Sequence, residues 1–159
     1  MNENEIKRIV QQFTASMEGN AWHGPAVFEL LNDINDEEAS QRALREAHNI
    51  YEITAHIITW QKAGIRKIKG DTRKVTEQED WPVANDATTE QWAEIKNTLL
   101  TVYNELKNGL EIFPDERLSE IVPDSEQTFY VFFHGIIQHN IYHAGQIAML
   151  KKAIRTSYI

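Results

Sequence analysis

The chain contains no cysteine, which excludes disulfides, thiolate metal sites and a cysteine nucleophile. Any metal it holds must be bound by histidine, aspartate or glutamate. No uninterrupted apolar run approaches the roughly 20 residues that cross a bilayer, and the polar start MNENEIKR is not a secretory signal. A cytoplasmic protein with no membrane partner is the expectation. Positive charge is also scarce: 16 Lys+Arg stand against 24 Asp+Glu, a formal net charge of −8. A duplex-binding protein needs a basic stripe to neutralise phosphates, so no nucleic-acid partner is expected. The one basic cluster, Arg66, Lys67, Lys69, Arg73 and Lys74, reads as a solvated helix end, where cations suit the dipole.

What is present is ordinary globular composition, 42% hydrophobic and 25% charged in 159 residues. That is enough chain for one domain, residues 1–159, with a core that folds without staples. Ile6, Ile9, Val10, Phe13 and Met17 make an amphipathic helix over about Asn4 to Met17, stopped by Gly19 and Asn20. A short helix follows over Pro25 to Leu31, and Asp33 to Glu38 reads as a connector and helix start. The second long helix spans about His48 to Lys69, with Gly70 as its stop. Asp71 to Ala87 reads as a long loop. A capping box at Thr88 to Gln91 starts the third long helix, which runs to about Leu110 on a stripe of Trp92, Ile95, Leu99, Val102 and Leu106. A second long connection, Glu111 to Ser125, leads to a fourth helix over about Glu126 to Arg155. Four long helices without an alternating strand pattern or internal repeat predict an all-α four-helix bundle with long loops.

The last helix carries the most chemical stretch of the chain, QHNIYHAGQI, with His139 and His143 four residues apart. Residues at i and i+4 share one helix face, the spacing at which two imidazoles reach the same ion. His143 falls on the apolar stripe of Phe129, Phe132, Ile136, Ile147, Leu150 and Ile154, and His139 on its edge. An imidazole on such a face is most often a core residue satisfied by a carbonyl or carboxylate. Two at ligand spacing can instead share a cation. His56 lies on the flank of the second long helix near Trp60 and Glu52 in projection, and taken alone it reads as structural. His48, two turns earlier, belongs to the helix start. Trp22 and His23 sit on a loop before a Gly-Pro break, either as the rim of a site or as a loop anchor.

AWHGP (Ala21 to Pro25), which is similar to a segment of one branch, NIYEITAHIITW (Asn49 to Trp60) and QHNIYHAGQI (Gln138 to Ile147), in this order along the chain, resemble the DinB/YfiT-like superfamily. The resemblance implies a four-helix bundle, commonly a homodimer, holding a divalent metal through His56, His139 and His143. Tyr142, Asn140 and Gln146 become candidate supports of those ligands, while His23, His48 and His134 match no ligand role. Zinc and nickel both suit three imidazoles. The resemblance further implies an enzyme in which the metal activates a low-molecular-weight thiol, such as bacillithiol or mycothiol, for attack on an electrophile. The loops around Trp22, His23 and Trp81 would shape the electrophile pocket. A metal-dependent hydrolase and a non-catalytic, stress-associated dimeric binding protein are the alternatives. No general base is evident. Glu52, His23 and Tyr142 are the catalytic candidates, with Glu52 read as a charge on an exposed helix flank.

Overall fold

Every long helix begins at a residue whose side-chain oxygen accepts a first-turn N–H: Asn4, Asn49, Thr88 and Thr128. Such caps satisfy donors that have no partner inside the helix. The computed structural model describes residues 4–83 and 87–156, and among them the chain is all-α without a strand. The helices are α1 (Glu5–Glu18), α2 (Val27–Leu31), α3 (Asp36–Ser40), α4 (Ile50–Ile68), α5 (Glu77–Asp80), α6 (Thr89–Glu111) and α7 (Phe129–Thr156), with a 3-10 turn over Asp115–Ser119.

The stops fall where the backbone demands them. Gly19 and Gly70 take φ of 137° and 86° after α1 and α4, the region where an ordinary side chain would clash. The helix boundaries therefore agree with the sequence to within a few residues, except that α7 starts at Phe129 rather than near Glu126. One expectation fails. The 71–87 stretch is not loop throughout, because Thr76 and Glu79 form a reciprocal capping box that nucleates α5; residues 84–86 of that stretch lie outside the described residues.

The four long helices pack in a closed cycle, α4 on α6 and α7, and α1 on α6 and α7. The connections from α1 to α4 and from α6 to α7 thus cross the diagonal, which is why each needs intervening short elements. One apolar cluster fills the centre, with Ile9, Phe13, Met17, Ile57, Leu99, Leu106 and Ile147 among its side chains. The stripe of α7 is wider than periodicity alone indicated: Phe133, Ile137 and Ala144 are buried with it, whereas Phe132 is only partly so.

Gly64 sets how closely α4 approaches its neighbours. A Cβ there would come within 2.9 Å of Ile136 Cδ1 and 3.3 Å of Leu106 Cδ1. Gly64→Val is accordingly expected to destabilise the fold by about 1–3 kcal/mol through overpacking. The check is a urea midpoint shift at constant slope.

A candidate metal centre

The centre is built where α4 passes α7. His56 is buried on α4, His143 is buried on α7, and His139 is partly buried one turn before it. The three Nε2 atoms converge: His56 to His139 is 2.9 Å and His139 to His143 is 3.1 Å. One ring nitrogen from each residue lies within 4.8 Å of the other two, an arrangement that could hold a metal ion.

The other ring nitrogens decide the tautomers. His56 Nδ1 lies 2.6 Å from the carbonyl oxygen of Asp80 and 3.1 Å from its carboxylate. Both acceptors require a proton on Nδ1, so the neutral ring presents a lone pair at Nε2. His143 Nδ1 donates in the same way to Gln146 Oε1 at 2.6 Å. Two lone pairs thus meet at His139 Nε2, which carries at most one proton and can satisfy only one of them. The Nδ1 of His139 is itself buried without a hydrogen-bond partner among the described residues. A cation among the three Nε2 atoms would use every lone pair. Tetrahedral ligands about 2.1 Å from zinc stand about 3.4 Å apart, a few tenths of an ångström more than the two spacings at His139.

Electrostatics keep the rings unprotonated. Burial, reinforced by His143 and His56, pushes His139 down to about 3. Burial takes His143 down to about 4 against the opposing bond to Gln146. His56 is also lowered by burial, with the Asp80 carbonyl and carboxylate acting the other way. Neutral imidazole is the form that binds a metal. The stability consequence has a definite sign. Unfolded histidines take up protons below about pH 6.5 while the folded rings stay neutral. Stability of the metal-free protein should therefore fall as pH drops from about 6.5 toward 3, a trend read by chemical denaturation across that range; a flat profile would contradict the buried neutral rings.

Trp81 supports His56 in a way the sequence did not reveal. Its ring stacks on His56 with centroids 3.7 Å apart and planes 6° from parallel, and on His48 at 3.7 Å and 5°. Two rings cannot share one face at that distance, so Trp81 is sandwiched between them. α5 holds it there. Thr59 donates to Glu79 O at 2.8 Å, and Trp60 Nε1 donates to Asp80 Oδ1 at 2.7 Å.

Several expectations need correction. Glu52 is not an exposed flank charge: it is 1% exposed, and its carboxylate bonds Arg42, His48 and the Asn49 N–H. Those bonds commit it to anchoring the start of α4. Trp22 is fully exposed and His23 is exposed, and neither lines the cleft that opens beside the centre. His48 reaches Trp81 and is more than a helix-start residue. Of the candidate supports, Gln146 holds His143, whereas the buried Asn140 donates to Ser16 on α1. Tyr142 is exposed and stands edge-on to the His143 ring at 5.0 Å. His134 lies against Tyr130, outside the cluster.

A cleft of about 650 Å³ opens beside the centre, and of the three imidazoles only His139 reaches its wall. Lys67, Arg73 and Lys74 also line it, so the basic cluster is not merely a solvated helix end. No described helix is long and apolar enough to cross a membrane. Among known proteins, the family model of the DinB superfamily matches residues 21–147, a span containing all three histidines. No curated protein and no solved structure matches the chain.

Proposed function

Because the chain belongs to the DinB superfamily, we propose that it is a divalent-metal-dependent enzyme acting on a small electrophile, with His56, His139 and His143 as the ligands. The observation that carries this reading is the meeting of two lone pairs at His139 Nε2, an arrangement that protons alone do not satisfy. When bound, zinc or nickel would supply Lewis-acid activation of a low-molecular-weight thiol or of water, since three neutral ligands leave its double charge intact and a position open.

The chain's own groups do the rest. The Asp80 carbonyl and Gln146 amide oxygen fix the tautomers of His56 and His143, as outer partners of metal-ligating histidines do. Trp81 covers a face of His56 and keeps water from it. The cleft at His139 gives the electrophile a place to lie.

The test is conjugation of a model electrophile by thiols carrying the chemistry of bacillithiol or mycothiol. Turnover that disappears with a chelator and returns with zinc or nickel supports thiol transfer. Metal-dependent release of product without any thiol assigns the same site to hydrolysis. A metal-loaded protein that turns over neither class of substrate would make it a binding protein.

A further inference from the structure

The cleft has a composition that specifies its occupant. Its apolar lining includes Trp60, Val122, Phe132 and Ile136, and its volume lies within the range of small-molecule sites. Two of its three cations are paired with carboxylates. Arg73 pairs with Glu79 at 2.8 Å and Lys74 with Asp124 at 3.1 Å. Asp80 is engaged by Trp60 and His56, and Glu77 is exposed to water in the first turn of α5. Lys67 differs. It is partly buried, and its ammonium is held by two neutral acceptors, the carbonyls of Asp71 at 3.1 Å and Arg73 at 3.3 Å. That fixes a cation on the wall while leaving its charge uncancelled by these partners.

Gly135 keeps the space open. It lies within α7, where glycine costs stability relative to alanine, and an added Cβ would meet nothing within 4 Å. The missing side chain is on the cleft wall.

We propose that the cleft seats an amphipathic monoanion, its aromatic or other apolar body against Trp60 and Phe132 and its anionic group on Lys67. As the identity of the electrophile, this deepens the metal-enzyme reading and rests on it; as a binding site it does not need the metal. Lys67 and His139 both line the cleft, so a molecule anchored by its anion on Lys67 shares the cleft with one imidazole of the metal centre.

The test is a fluorescence titration of chelator-stripped protein with 1-anilinonaphthalene-8-sulfonate, an apolar body with one anionic group, and with the neutral N-phenyl-1-naphthylamine. One saturable site per chain is expected for the anion. Lys67→Met, which keeps the packing of the stem, should weaken the anion about tenfold or more, the scale of a lost hydrogen bond to a charged group, and leave the neutral compound within about twofold. Gly135→Phe should abolish both while circular dichroism and melting temperature are maintained. An unsaturable anion signal, equal effects of Lys67→Met on both compounds, or undiminished binding to Gly135→Phe would overturn the proposal. Metal is absent throughout, so these failures leave the three-histidine reading intact, and a protein that never takes up metal can still pass.

Discussion

His143→Ala is expected to lower affinity for zinc or nickel by more than about a hundredfold, because loss of an outer hydrogen-bond partner alone typically costs about 10–100-fold. Gln146→Ala supplies that milder comparison, since it removes the acceptor at His143 Nδ1 and leaves the ligand in place. The ordering, parent tightest, Gln146→Ala intermediate and His143→Ala weakest, is measurable by competition with a chromophoric chelator. Stability should follow affinity. Metal at 100 times its dissociation constant stabilises the folded state by about 2.7 kcal/mol, or about 5–10 °C in melting temperature for a chain of this size. His143→Ala should lose that shift at the same metal concentration. Equal affinities for all three proteins would remove His143 from the ligand set.

Glu52→Ala is expected to cost about 3 kcal/mol without changing metal stoichiometry. The carboxylate is 1% exposed and caps α4 by accepting from Asn49 N–H while bonding Arg42 and His48. Removing one member of a buried charge network costs about 3–5 kcal/mol, and the low end applies because the Arg42 side chain is 36% exposed and can rehydrate. Glu52→Gln should lose less, because an amide oxygen can still accept from the Asn49 N–H. The readout is a denaturation midpoint beside a metal titration. Unchanged stability with lost metal would reverse the assignment and place Glu52 at the centre rather than at the helix anchor.

The extent to which this architecture is written in the sequence differs by element. The long helices are legible because each carries a buried stripe at helical spacing and a local start or stop signal, such as Gly19, Gly70 and the Thr88 capping box. His139 and His143 are legible for the same reason, since i and i+4 on an apolar stripe share a face. His56 is not readable from one chain alone. Its meeting with α7 depends on how far α4 slides along it, which local periodicity does not set, and only the family resemblance pointed there.

Helix projection alone misplaces Glu52 on an exposed flank, although Asn49-x-x-Glu52 carries the same local signal that marks α6. Thr76-x-x-Glu79 likewise announces α5. The Trp81 sandwich and the cleft wall of Lys67 and Gly135 join residues far apart in sequence, so no pattern within one segment reveals them.

The central claim, that three imidazoles hold one divalent ion, is tested most directly by the metal-to-chain ratio of tag-free protein after exposure to zinc or nickel and gel filtration, measured by inductively coupled plasma mass spectrometry. About one ion per chain is predicted for the parent and essentially none for the folded His56→Ala, His139→Ala and His143→Ala variants. A folded parent that emerges without metal, or variants that retain as much as the parent, would contradict it.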